Sequence, residues 1–469
     1  MKRRWILGLS LLLLLGAGGA TALLMSNRRP VTTSSQAAYE AYQEARANAN
    51  RFYFKEARLG FARALELDPH FAMAMLGLAG RSPDEEQRVA LVRRAARERS
   101  RLTERERLHL DLALAMVEKR TADYFDIARA LHAKFPDDVE AASILCMEQI
   151  QKGNRDQAIK IFEELLAVDP NNAEAYNQIG YYWGYRGDYE KAVDNLKKYQ
   201  FIAADTANPF DSLGEVQAYS GHYTEAVENL NHALAIKPDF SPAYQHLGVV
   251  HEGTGDWAKA IENYRRAEDF VDKDGERRNL ESMALRAALI GKDHAAARIA
   301  IERLSRIPVE KGDPYTPLNQ GFVETLGDLV DGRAAQAEQR LAALRPKLEE
   351  TFSMGQKAGK ILPTIKPHFR EWNLLMALAL EKQGRTDDAL KLYEENANPP
   401  NPFQDFDSRR WIMEARAKVA EIVARKGDLD RAERLLAENR KWNASWAPCR
   451  ASEEIVAQLR RERVLAAAR

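Results

Sequence analysis

Residues 171–196 read NNAEAYNQIGYYWGYRGDYEKAVDNL, with four aromatics in the five residues from Tyr181 to Tyr185. The frame around them returns at a fixed spacing. Gly180, Gly214 and Gly248 are 34 residues apart, as are Gly153, Gly187, Gly221 and Gly255, and Ala158, Ala192, Ala226 and Ala260. Pro170 and Pro238 stand two periods apart. Self-similarity at such a period marks stacked supersecondary units, each burying a face it cannot bury alone. The small residues let paired helices approach closely. Tyr176, Ile179 and Leu196 in one unit, and Phe210, Leu213 and Leu230 in the next, fill the space between them. Gly187-Asp188 and Gly221-His222 supply a left-handed turn before each second helix. Pro170 and Pro238 punctuate the ends of the second helices.

These positions agree in phase over four units, 139–172, 173–206, 207–240 and 241–274, and resemble the tetratricopeptide repeat family. The resemblance implies an all-α fold, an α-solenoid of helix–turn–helix repeats in a right-handed superhelix. Its phase reaches outward. Unit 38–71 keeps Ala57, Phe61, Ala64 and Pro69, unit 105–138 ends at Pro136, and 72–104 matches only through Met75, Leu78 and its length. Gly291, Ala296 and Pro308 recover the register after a slip of two residues. Gly332 with Ala337, Gly384 with Ala389, and Gly427 with Ala432 mark further hairpins. The expected divisions are a leader over 1–30, a tether over 31–37, a main array over 38–308, an irregular connector with a partial hairpin over 309–371, and C-terminal repeats over 372–469. The stretch 345–367 with Pro346, Pro363 and Pro367 reads as irregular, 396–403 as a loop, and 451–468 as a capping helix.

The N-terminus holds residues 5–25, from Trp5 to Met25, without a charge, between Lys2-Arg3-Arg4 and Arg28-Arg29. About 20 apolar residues can span a bilayer as a helix. A second parse ends a small-residue region at Ala20-Thr21-Ala22, a cleavage pattern. Both parses send the remaining chain across a membrane. The basic residues ahead of the apolar run favour an inside N-terminus and an extracytoplasmic array, or a secreted or periplasmic chain if the leader is cleaved.

Lys+Arg and Asp+Glu balance at 69 each, which argues against a chain-wide nucleic-acid footprint. The balance is uneven: residues 139–272 carry a net −11, and 1–138 a net +6. An acidic middle favours cationic partners over a screening distance of about 8 Å. The eight arginines of 88–107 are interleaved with Glu98, Glu104 and Glu106, the pattern of a salt-bridged exposed face. The LTERER stretch at 102–107 resembles part of the repeat arrays attached to some bacterial serine/threonine kinases, without any kinase motif. Cys146 and Cys449 read as two buried free thiols.

Chemical motifs are weak, and no cofactor or metal is expected. His246 and His251 have a zinc-like spacing without a cysteine pair. Gly355–Lys360 is too short for a phosphate loop, and 270–281 lacks the first calcium ligand, having Phe270 there. Lys357, Lys360, His368 and Arg370 form the one polar cluster in which an enzyme site could be sought, in the connector.

The resemblance implies a binding groove lined by positions 2, 5, 9, 12 and 13 of each first helix. Here these include Glu174, Asn177, Tyr181, Gly184 and Tyr185; then Asn208, Asp211, Glu215, Ala218 and Tyr219; then Pro242, Gln245, Val249, Glu252 and Gly253. Aromatic rings and carboxylates in such a groove imply a basic or polar extended protein segment as ligand. Asn177 and Tyr181, then Asp211 and Glu215, depart from the Lys and Asn of the family's carboxylate clamps, so a chaperone C-terminus is a poor candidate. The expected function is a membrane-held or exported scaffold for protein–protein interaction, not an enzyme. The alternative is an accessory of envelope assembly, secretion or polysaccharide export that binds a non-protein ligand. Tyr176, Trp183 and Tyr189 fall on packing positions, and Tyr182 on neither set.

Overall fold

The computed structural model describes residues 30–308, 315–357, 367–399 and 405–467. Among these are twenty-three α-helices and one short 3-10 turn, and no strand. The apolar run 5–25 lies outside the described residues. No described helix is long and apolar enough to cross a membrane. The chain divides into two compact units after Ala141, well inside the stretch expected to form one array.

The first unit contains α1 (Gln36–Asn50), α2 (Phe54–Leu67), α3 (Ala72–Ala79), α4 (Glu85–Ala96), a 3-10 turn (Arg99–Arg101), α5 (Glu104–Val117) and α6 (Thr121–Lys134). Tyr42 packs its ring 5.7 Å from Phe61 and 4.8 Å from Phe71, joining α1, α2 and the start of α3. Thr103 and Glu106 form a reciprocal capping box that starts α5.

The expected tether is instead a strap tied to the repeats. Val31 is buried. The Thr32 N–H donates to Glu106 Oε1 at 2.6 Å and its hydroxyl to Glu106 Oε2 at 2.7 Å. The Thr33 hydroxyl donates to Asp68 Oδ2 at 2.6 Å, and the Ser34 N–H to the same oxygen at 3.2 Å. Polar, proline-led composition reads as a linker because these acceptors lie 34 to 74 residues away.

His109 of α5 bridges Asp138 and Glu140 at 2.9 Å each, and Arg105 reaches Asp138 and Asp137. Burial pulls the imidazole down, but hydrogen bonds to Asp138 and Glu140 outweigh it and raise its pKa to about 9. Burial pushes Asp138 up, and the hydrogen bond and charge of His109 overcome this and lower it to about 2. Because the folded value of His109 is raised, its stabilisation is complete below about pH 6.5 and lost as pH rises through about 9. His109→Gln should therefore cost about 2 kcal/mol near pH 6 and almost nothing above about pH 9.5. Circular-dichroism melting of both proteins across that range checks it; a cost that does not vary with pH would refute the ionic role.

The division between the units falls inside α7 (Val139–Gln151). The second unit continues with α8 (Arg155–Val168), α9 (Ala173–Arg186), α10 (Tyr189–Ile202), α11 (Asn208–Tyr219), α12 (Tyr223–Ile236), α13 (Ser241–Thr254), α14 (Trp257–Glu268), α15 (Asp274–Ile290) and α16 (His294–Arg306). The 34-residue glycines do what their spacing predicts. A Cβ on Gly180 would sit 2.6 Å from Leu196 Cγ, on Gly214 2.7 Å from Leu230 Cγ, and on Gly248 2.4 Å from the Tyr264 ring. Tyr264 is fully buried, so Gly248→Ala must displace a ring that has no room to move. We expect a loss of about 1–3 kcal/mol, measurable by urea unfolding.

Next come α17 (Thr316–Val330), α18 (Ala334–Lys357), α19 (Pro367–Lys382), α20 (Thr386–Ala397), α21 (Phe406–Arg425), α22 (Leu429–Arg440) and α23 (Ala447–Ala467). The connector is more regular than expected. Helix α18 runs through Pro346 to Lys357. The hydrogen bond lost at proline is offset by burial of Leu341 and Leu348 on either side. Asn396 and Ala397, expected in a loop, end α20, while 400–403 lies outside the described residues. Cys449 is buried and Cys146 half-buried; both are free thiols.

Candidate functional site

The first helices of three repeats, α9, α11 and α13, together with α15, bring the expected groove residues to one surface. That surface is not open. It is covered by α21, the α22–α23 connection and the start of α23, all from the same unit. This corrects the expectation of a free binding face at Tyr181, Tyr185, Asp211, Glu215, Tyr219 and Glu252.

Phe406 begins α21 and is buried among three tyrosines. Its ring centroid lies 4.8 Å from Tyr219 in a near-parallel stack, 4.8 Å from Tyr185 edge-on, and 6.4 Å from Tyr181. Gly184 makes room for it: a Cβ there would meet Phe406 Cζ at 3.0 Å. One turn later Arg409 donates to the carbonyl of Gly184 at 2.8 Å and to that of Tyr185. These carbonyls sit in the last turn of α9, where the helix dipole favours a cation. Burial pulls the Arg409 pKa down to about 10, so its guanidinium stays charged at neutral pH.

Beside Arg409, Arg410 donates to Glu252 Oε2 at 3.2 Å. Arg286 of α15 bonds both Glu252 and Glu414 of α21. Trp446 Nε1 donates to Glu414 Oε1 at 3.1 Å. Two guanidinium groups and two carboxylates thus form a neutral network, with Glu252 fully inaccessible, Arg410 buried, and Arg286 and Glu414 half-buried. Tyr264 lies beneath it; burial first, then the Glu252 charge, raises its phenol well above the ordinary value.

The turn glycines carry a second function that the spacing alone did not show. Asn443 Nδ2 donates to the carbonyls of Ala218 and Tyr219, and the Tyr223 hydroxyl meets its Oδ1 at 3.3 Å. A Cβ on Gly221 would meet Asn443 Oδ1 at 2.7 Å, and one on Gly255 would lie 3.4 Å from Ala447 Cβ. Gly187 faces Trp442, whose ring is flanked by Arg409 and Arg416.

The remaining expected residues hold their neighbours. Asp211 accepts from His246 Nδ1 at 2.8 Å, and His246 Nε2 lies 3.6 Å from Glu215. The Tyr181 hydroxyl donates to Glu215 at 2.6 Å, and burial raises its pKa well above the ordinary value. Glu174 accepts from Gln178 at 2.6 Å, and burial raises its carboxyl. Asn177 is buried, with an Oδ1 that has no hydrogen-bond partner among the described residues. Gln245 is half-buried. The aromatic cluster of the opening stretch divides further. Trp183 faces Lys191, Tyr189 stacks on His222, and Tyr182 donates to Asp156 at 2.6 Å on the outer surface.

His222 and His232 stack separately on Tyr189 and Phe210, so they do not join His246 in one site. No metal-binding group occurs among the described residues. In the stretch 270–281, which lacks the first calcium ligand, Glu281 is buried and paired with Arg265 and Arg303. In the connector, His368 stacks on Tyr315 and Arg370 donates to Ser408; Lys360 and the Lys357 side chain lie outside the described residues. Phe406, Arg409, Arg410, Glu414, Trp442 and Asn443 escaped sequence reasoning. The available signal was two arginines and a tryptophan at 409–411 in a helix whose partners carry acids.

Helix hairpins stacked in this way define an α-helical repeat scaffold. Residues 147–209 and 212–275 match the family Tetratricopeptide repeat. No curated protein matches the chain. Among solved structures, the Cut9–Hcn1 hetero-tetramer of the APC/C is similar at 13% identity, covering 96% of this chain and 81% of that one, with a TM-score of 0.49. PilW, described as a widely conserved type IV pilus biogenesis factor, is similar at 18% identity over 44% of this chain and 92% of that one, with a TM-score of 0.35. PilF of Pseudomonas aeruginosa is similar at 17% identity over 46% and 96%, with a TM-score of 0.34.

Proposed function

We propose that the chain is a non-catalytic scaffold that binds protein segments through the groove of α9, α11, α13 and α15. We further propose that residues 5–25 hold it at a membrane or direct it across one. One observation carries the binding reading: the groove already holds a segment, α21, by an aromatic anchor and two arginines. That occupant is helical, not extended, and basic where it meets the groove, as the acidic lining requires. Because it belongs to the same chain, a partner must offer the same chemistry and compete with it. The intramolecular segment has a large advantage in effective concentration.

A labelled peptide spanning residues 405–419 tests this. The intact chain should bind it weakly. Phe406→Ala combined with Arg410→Ala in the chain should raise its affinity at least about tenfold, by removing the competitor's grip. Peptides lacking the phenylalanine or the arginines should not bind. A folded variant that ignores the peptide would sink the reading. Carbonate extraction with protease accessibility tests anchorage and sidedness separately.

A further inference from the structure

The strap at residues 31–34 ends beside an arginine-rich edge of the first unit. Thr32 Oγ1 lies 3.5 Å from the Arg101 carbonyl. Thr33 and Ser34 are held by Asp68, and Arg94 donates to the carbonyl of the next residue, Pro69. His70 and Arg101 share Glu98. The strap, the α2–α3 turn and the turn between α4 and α5 are thus stitched together at one edge.

Arginines dominate that edge. Arg93, Arg94, Arg97, Arg99 and Arg101 are all exposed. The acids are few and engaged: Glu98 serves His70 and Arg101, and Asp111 pairs with Arg99. Arg93, Arg94 and Arg97 have no carboxylate partner among the described residues. The mixed-sign pattern of 88–107 therefore does not neutralise this face, because Glu104 and Glu106 turn elsewhere, to Lys134 and to the strap. Arginines in the last turn of α4 complement its dipole. That accounts for Arg93 and Arg94, and ion pairs account for Arg99 and Arg101, but neither accounts for Arg97 beyond the helix.

We infer that this face docks the first unit on an anionic phospholipid surface. The inference rests on residues 5–25 being a membrane anchor. Only residues 26–30 separate that run from buried Val31, and five residues reach at most about 18 Å. A strap fixed at Val31 leaves the arginine edge within reach of the bilayer, where basic side chains gain from anionic headgroups within a Debye length.

The test uses the full chain in nanodiscs of phosphatidylcholine, with or without about 30% phosphatidylglycerol. Phenylglyoxal modification of each arginine is read by mass spectrometry. Arg93, Arg94, Arg97 and Arg101 should react at least about threefold more slowly in anionic discs, and recover at about 0.5 M salt, while Arg129 of α6 is unaffected. Equal rates in both discs, with the chain inserted, overturn the docking face and leave the anchor standing. A chain that never enters discs overturns the anchor and the docking face with it. Protection by added polyglutamate but not by anionic lipid would assign the face to an acidic protein and overturn the lipid reading.

Discussion

Glu252→Ala should destabilise the second unit by about 3–5 kcal/mol, because it leaves the buried Arg410 guanidinium, and the half-buried Arg286 beside it, short of a carboxylate. Glu252 is fully buried between Arg286 and Arg410, and Arg286 is left with Glu414 on α21. The loss measures the penalty of uncompensated charge more than the worth of the pair. The double variant Glu252→Met, Arg410→Met should therefore recover much of it, since apolar groups of similar volume often replace a buried pair at little cost. Urea unfolding followed by tryptophan fluorescence reads the right unit: Trp5 aside, every tryptophan lies beyond residue 141. A single variant that costs less than about 1 kcal/mol would mean that water reaches the network and screens it.

Phe406→Ala should cost a similar amount, about 3–5 kcal/mol, but for a different reason. The ring fills the space between Tyr181, Tyr185 and Tyr219 and sits on Gly184, so truncation leaves a cavity that three aromatic rings on two helices cannot collapse into. The variant should also gain what the native chain lacks, access for an aromatic side chain presented in trans. Stability loss without a gain in binding of the 405–419 peptide would make α21 a structural wedge only. Loss and gain together would make it a resident ligand.

The hairpins were legible because their contacts are local and repeat. Gly180 against Leu196, Gly214 against Leu230 and Gly248 against Tyr264 are each 16 residues apart, and the pairing recurs every 34. The family resemblance pointed to Tyr181, Tyr185, Tyr219 and Glu252 as groove positions, and the structure packs α21 against all four. The resemblance was silent on their occupant. Arg409 and the Tyr185 carbonyl are 224 residues apart, and Phe406 occurs once in no repeating frame. Composition misread the strap for a similar reason: Thr33 and Ser34 look like linker residues until Asp68 is placed beside them. Counting charges along 88–107 also missed that Glu104 and Glu106 face Lys134 and the strap, while Glu98 alone of the three serves an arginine of the stretch.

The 34-residue pattern by itself determined the helix–turn–helix units and their internal packing; the side on which each first helix presents its groove residues came from the family resemblance. Each unit is stabilised by itself and by its immediate neighbours, so its chemistry must be written locally and repeatedly. Only the tertiary structure decided that the groove is shut by α21 and that the strap is tied down. It also decided that Glu252 is a buried partner of two arginines and not an exposed lure for a ligand. Contacts between distant segments need complementary surfaces once each, and a feature used once leaves no period to read.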